Sequence, residues 1–356
     1  MLLRRSRRVY VDRIYVDMSL QTQQTALTQR LESRLSCEGK LTLPAVPHML
    51  DDYVERCDQI FASVGRRLNE TERTHLRDVL ADQMKIAFSK SQRSTITVTY
   101  SADTATPLKY TVTPQHPDLS ATYERWIDTR KPPYFGAHPD AKVMALAREA
   151  SNPSACSVLD IGAGTGRNAL ALARLGHPVD AVELTPRFAE IMKDSAASDS
   201  LPIRIIREDV FRSRGLLRKD YGLIVVSEVV SDFRSIEEWR SLLELAARCL
   251  ADGGKFLANV FVAHDNYYEA AAAREFAQQT FSFFMTPAEL AGATRGLPLE
   301  LLSSESVHDY EKENLPAGLW PPTPWYPDWT RGLDVFLMRA ADCPISMRWL
   351  VFQKDP

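Results

Sequence analysis

Asp160, Gly162, Gly164 and Gly166 stand in the run Val-Leu-Asp-Ile-Gly-Ala-Gly-Thr-Gly at 158–166. These types and spacings describe a strand that ends beside an acid and turns through glycines into a helix. Alternating glycines lack a Cβ and accept positive φ, so a ligand can approach the backbone closely. The acid sets the charge of that ligand: a carboxylate repels a pyrophosphate and attracts an ammonium. S-Adenosylmethionine carries an ammonium, a carboxylate, a ribose and an adenine, and the following residues provide for each. Arg167 and Asn168 open a helix whose N-terminal amides suit the carboxylate. The next strand ends at Glu183, 21 residues beyond Gly162, where an α/β nucleotide-binding unit offers an acid to ribose hydroxyls. The third strand ends in Glu208-Asp209-Val210, and Asp209 is placed to accept from the adenine amino group. The candidate cofactor residues are Asp160, Gly162, Ala163, Gly164, Gly166, Asn168, Glu183, Leu184, Asp209, Val210 and Ser227.

The rival ligand is a dinucleotide, which would make the chain an NAD-dependent oxidoreductase. Its fingerprint needs Gly-x-Gly-x-x-Gly or Ala. That register puts Arg167 at the third position, and Asp160 also disfavours it.

From about residue 139 to 356 the chain resembles the class I S-adenosylmethionine-dependent methyltransferases. Asp160 to Gly166 match the family's first motif, Glu183 its ribose acid, Asp209 its adenine-side acid and Ser227-Glu228 its fourth-strand motif. Residues 166–176 are also similar to the tellurite-resistance methyltransferases, over about 30 residues that concern the cofactor alone. The resemblance implies an α/β fold: a Rossmann-like, seven-stranded, mostly parallel sheet flanked by helices, with the last strand antiparallel.

Methyl transfer from a sulfonium needs alignment of an acceptor lone pair with the S–CH₃ bond, and a base only where the acceptor must lose a proton. Ser227 and Glu228 end the fourth strand of the core, so Glu228 is a candidate base or orienting group and Ser227 a candidate partner. His264 follows the fifth strand and is a second candidate base. The fourth-strand sequence Ser-Glu-Val-Val departs from the Asn/Asp-Pro-Pro-aromatic pattern of many amide and nucleobase-amine methyltransferases. Tyr134, Phe135, Tyr267, Tyr268, Trp320, Trp325, Tyr326 and Trp329 are candidate walls of an acceptor pocket.

The elements that position these residues follow from periodicity. Strands are predicted at about 157–161, 178–183, 203–207, 222–227, 254–262, 299–307 and 347–353. Helices are predicted at about 166–175, 186–195, 236–251, 266–280 and 287–294, and the alternation is that of a parallel α/β sheet. Upstream, Leu50, Tyr53, Val54, Cys57, Ile60, Phe61, Val64 and Leu68 form one helical stripe. Asn69 and Glu72 form a capping-box pattern for a second helix. Ile96, Val98 and Tyr100, then Leu108, Tyr110 and Val112, alternate as a hairpin. The predicted organisation is a leader and N-terminal helix (1–43), a small α+β helix-helix-hairpin module (44–114), a connector (115–138) and the methyltransferase domain (139–356). Within the last, prolines and tryptophans at 316–330 form a stiff insertion.

The 356 residues are 45% hydrophobic and 25% charged with a net charge of −3, a globular composition without the basic excess of a nucleic-acid binder. No apolar run is long enough to span a membrane. Five scattered cysteines, none in Cys-x-x-Cys, predict neither a zinc site nor a redox pair and fit a reducing cytoplasm. Arg4, Arg5, Arg7, Arg8 and Arg13 among broken apolar residues predict a disordered leader, with Met18 as the natural start. The N-terminal module favours a protein side chain as the acceptor. A small metabolite is the alternative, as is a non-catalytic interaction protein on the same fold.

Overall fold

Two changes of period divide the chain, and two units result: residues 1–116 and 117–356. The computed structural model describes residues 20–28, 30–31, 36–103, 108–265 and 267–356. The basic leader and Met18 lie outside the described residues.

In the first unit, residues 20–28 are helical. Strand β1 (Cys37–Pro44) precedes helices α1 (Leu50–Ser63) and α2 (Glu70–Lys90), which are followed by β2 (Thr95–Ala102) and β3 (Lys109–Gln115). The capping box forms as its sequence demands: the Glu72 N–H donates to Asn69 Oδ1 at 3.0 Å, and the Asn69 N–H donates to Glu72 Oε2 at 2.9 Å. One face of each helix buries Tyr53, Val54, Cys57, Phe61, Leu76, Leu80 and Met84 against Ile96 and Val98. The hairpin is completed to a three-stranded antiparallel sheet by β1, whose Leu41 lies opposite Val98. Residues 37–43, placed by the sequence reading at the end of the leader-and-helix segment 1–43, are therefore a strand. Glu38, Lys40 and Thr42 alternate with only Gly39, Leu41 and Leu43, too short an apolar series to announce a strand before its partner is known.

The second unit begins with α3 (Leu119–Thr129), a helix in a stretch read as connector. Its cap is Asp118, which accepts from the Ala121 N–H at 2.7 Å. There follow α4 (Ala141–Ala147), β4 (Val158–Ile161), α5 (Arg167–Arg174), β5 (Val179–Val182), α6 (Pro186–Ser198), β6 (Ile203–Ile206) and β7 (Tyr221–Val226). Then come α7 (Ile236–Cys249), β8 (Leu250–Ala263), α8 (Ala271–Gln279), β9 (Phe284–Met285), α9 (Pro287–Thr294), β10 (Leu299–Ser306), α10 (Val307–Asn314), the short α11 (Tyr326–Trp329) and β11 (Ile345–Lys354).

Seven strands lie in the order β6-β5-β4-β7-β8-β11-β10, and β9 pairs alongside β8. The strands from β6 to β8 are parallel, whereas β11 runs antiparallel to both β8 and β10. This is the mostly parallel sheet with an antiparallel last strand that the family resemblance implies. The central strands are buried on both faces, as helix-covered parallel strands must be. One core layer packs Trp239, Leu242, Phe256 and Phe352, and the other packs Leu172, Met192, Leu257, Phe261 and Trp349. The chain reverses direction across the sheet at β4, with β5 on one side and β7 on the other. Ligands bind open α/β sheets in the crevice at such a switch point, beyond the strand C-termini.

Candidate active site

The turn after β4 has the backbone its glycines predict: φ is +69° at Gly162, +57° at Gly164 and +90° at Gly166. The missing Cβ atoms have a use that sequence reasoning did not assign. A Cβ at Gly162 would stand 2.2 Å from Val229 Cγ2, and one at Gly164 would meet the Phe135 ring at 3.4 Å. Gly162 thus lets the turn pack against the loop after β7, and Gly164 lets it pack against the Phe135 ring.

Asp160, at the C-terminal end of β4, is buried, and among the described residues its Oδ2 has no hydrogen-bond partner. Burial, reinforced by the charge of Asp140, pushes its pKa up to about 7. Glu183, just after β5, is also buried. Its Oε2 accepts from the Gly164 N–H at 2.8 Å and its Oε1 from the Thr185 N–H at 2.6 Å. Burial raises its pKa, and those two amides oppose the rise. A carboxylate has about four acceptor sites, so two backbone donors leave room for two ribose hydroxyls. Asp209 is half-buried and turns Oδ1 to the Phe211 N–H at 2.7 Å. Leu184 is half-buried, Ala163 is buried, and Val210 packs on the core. The orphaned buried oxygen of Asp160, the carboxylate of Glu183 and the positive-φ turn fit a ligand with an ammonium and a ribose.

A second cluster centres on Arg167, at the first turn of α5. Its guanidinium donates to Asp140 Oδ1 at 2.6 Å and Oδ2 at 3.1 Å, and to Glu228 Oε1 at 2.7 Å. All three side chains are at most 10% exposed. Burial opposes the charge of Arg167, but Asp140 and Glu228 outweigh it and raise its pKa above the usual value. Burial lifts Glu228 to about 7, with Arg167 opposing and Asp140 reinforcing the rise. Glu228 adopts φ +61°, which is uncommon outside glycine. Its N–H is held by Asn259 Oδ1 at 2.7 Å.

Two predicted site residues serve this cluster. Ser227 Oγ donates to Asp140 Oδ2 at 2.7 Å. Asn168 donates to the same oxygen at 2.9 Å through Nδ2 and accepts the Asp140 N–H through Oδ1. Both side chains are committed to Asp140 rather than turned to an open site. His264 is exposed at the end of β8 and is absent from the cavity lining described below.

Sequence reasoning missed Asp140. It stands where a helix cap stands, yet its carboxylate turns to Arg167, and Glu311 caps α4 in its place. Glu311 accepts from the Ala141 N–H at 2.7 Å and the Lys142 N–H at 3.1 Å. No local pattern announces that exchange, since Glu311 is 171 positions away from Asp140.

Glu228 and Ser231 border a cavity of about 430 Å³. Its aromatic walls are Tyr123, Trp126, Tyr134, Phe135, Phe281, Trp325 and Trp329, and Arg130, Lys131 and Asp334 also line it. Of the aromatics proposed from sequence, Tyr134, Phe135, Trp325 and Trp329 are here. Tyr268 is exposed, Tyr326 is buried, Tyr267 packs on Phe284 and Phe336, and Trp320 packs on His308 and Tyr326. Helix α3 supplies Tyr123 and Trp126. It is tied down by Tyr123 Oη, which donates to Asp232 Oδ2 at 2.5 Å, and by Asp128, which accepts from Arg187 Nη1 at 2.6 Å.

Residues 158–254 match a family model described as a methyltransferase domain. The chain is 32% identical over 123 residues to a protein named hemagglutinin 1 of Eikenella corrodens, which covers 34% of this chain and 40% of that protein. The chain therefore spans less than half the length of this curated relative. Among solved structures it is similar to geranyl diphosphate C-methyltransferase from Streptomyces coelicolor A3(2), at 13% identity and a TM-score of 0.47, covering 60% of this chain and 80% of that one. It is also similar to a putative sarcosine dimethylglycine methyltransferase from Galdieria sulphuraria, at 16% identity and a TM-score of 0.46, covering 60% and 85%. The sheet order, the glycine turn and the strand-end acids are built around residues 158–254, the stretch that matches the methyltransferase-domain model.

Proposed function

We propose that this chain transfers the methyl group of S-adenosylmethionine to an N or O acceptor held in the aromatic cavity beside Glu228. The bound cofactor supplies the electrophilic methyl carbon. Asp160 and Glu183 would hold its ammonium and ribose, Asp209 would receive the adenine amino group, and the cavity would align the acceptor. Glu228 takes the proton that an N–H or O–H acceptor gives up as the new bond forms.

The observation that carries this reading is the cavity bordered by Glu228. Its volume is that of a small-molecule site. That favours a small acceptor over the protein side chain suggested by the N-terminal module. Incubation of a cell extract with methyl-labelled S-adenosylmethionine and the protein tests it. Label is expected in the small-molecule fraction, and label confined to protein or nucleic acid overturns the choice of acceptor.

A further inference from the structure

The cavity carries charge as well as rings. Arg130 lies with Cζ 3.6 Å from the centre of the Trp126 ring. That ring sits among Tyr123, Phe135 and Phe281, with centroids 5.1–6.1 Å away. Stacking fixes the plane of a guanidinium and leaves its N–H edge free for a bidentate oxyanion. Lys131 follows at the same wall. Among the described residues, neither cation is paired with a carboxylate. The other arginine bordering this region, Arg167, is neutralised by Asp140 and Glu228. Two cations that no carboxylate pairs, beside flat apolar walls in a cavity that also holds Glu228 and Asp334, describe a ligand of mixed character.

Resting on the methyltransferase reading, we propose that the acceptor is a small planar aromatic acid. Its ring lies among the aromatic walls, its carboxylate is held by Arg130 and Lys131, and its hydroxyl or amino group faces Glu228. In the transfer, the acceptor lone pair forms a bond to the methyl carbon as the S–CH₃ bond breaks. That bond's electron pair stays on sulfur, giving neutral S-adenosylhomocysteine. The proton of the hydroxyl or amino group passes to the Glu228 carboxylate. Phe281, held at φ +55° with its carbonyl accepting from Trp329 Nε1 at 2.9 Å, is one of the walls of the cavity.

The test uses the full chain saturated with S-adenosylhomocysteine. The 2-, 3- and 4-hydroxybenzoates are titrated calorimetrically beside the matching hydroxybenzamides, which keep the shape and lose the charge. At least one acid is expected to bind about tenfold or more tightly than its amide, as a charge-assisted pair requires. Arg130→Gln and Lys131→Gln should each shrink that preference while leaving the affinity for S-adenosylhomocysteine unchanged. Both residues are exposed, so folding should be kept, and the unchanged cofactor affinity verifies it. Equal binding of acids and amides, binding of none of them, or a preference that survives both substitutions overturns the proposal. If S-adenosylhomocysteine binds in those cases, the methyltransferase reading stands and only the acceptor class fails. If it does not bind, the cofactor reading fails.

Discussion

Arg167 donates to Glu228 at 2.7 Å while gripping both oxygens of Asp140. One guanidinium therefore serves two buried carboxylates. Its single positive charge is shared between them, and burial lifts Glu228, which borders the cavity, to about 7.

The first prediction follows for the pH dependence of turnover. A base must be deprotonated to act, and Glu228 titrates at about 7. The rate of S-adenosylhomocysteine release should rise with pH through about 7 and level off above it. Glu228→Gln should lower kcat by about 10²–10⁴ and flatten the profile, with cofactor affinity kept. A variant of wild-type rate, or one with the wild-type profile, removes Glu228 from proton transfer.

A second prediction concerns stability. Asp160 titrates near 3.8 when unfolded and at about 7 when folded. Between those values the folded state holds a proton that the unfolded state releases. Its contribution to stability is therefore complete below about pH 4, declines as pH rises to about 7 and is absent of further change above. Asp160→Asn cannot ionise. It should melt higher than the wild type at pH 8 without cofactor, and the gap should close towards pH 4. Thermal melts at both pH values check this, and a gap that widens at low pH contradicts it.

The third prediction separates cofactor binding from folding. Glu183 presents a carboxylate already oriented by the Gly164 and Thr185 amides. Loss of charge-assisted bonds to two hydroxyls in Glu183→Ala should weaken S-adenosylhomocysteine by at least about tenfold. Adenine alone lacks the ribose, so its weaker binding should change little. Calorimetry with the two ligands distinguishes this from a collapsed site, which would lose both.

Local patterns made the sheet legible, because each buried strand is a short apolar run and each strand-end acid lies within a few residues of its turn. The strand-end positions of Glu183 and Asp160 were readable for that reason. The cavity was not, since its walls come from four separated stretches: 123–135, 228–231, 280–281 and 323–334. Nothing in Tyr-Glu-Arg-Trp at 123–126 states that Trp126 will meet Phe281. Asp140 was hidden by a different cause. A tertiary partner outbid the helix amides for its carboxylate, and a distant glutamate took up the capping role.

The last prediction tests the packing of the turn. At Gly162 a side chain would face two separate penalties. Positive φ costs an L-residue about 1–2 kcal/mol, and a Cβ placed 2.2 Å from Val229 Cγ2 adds an overpacking cost of about 1–3 kcal/mol. Gly162→Ala should therefore lose about 2–5 kcal/mol in denaturant unfolding. Val229→Ala removes the steric part and leaves the backbone part. In a double-mutant cycle, Gly162→Ala should cost less in the Val229→Ala background than in the wild type, without becoming neutral. Strict additivity would mean that the turn moves away from Val229 and that strain alone sets the cost. A neutral Gly162→Ala in the Val229→Ala background would mean that φ relaxes and that space alone matters.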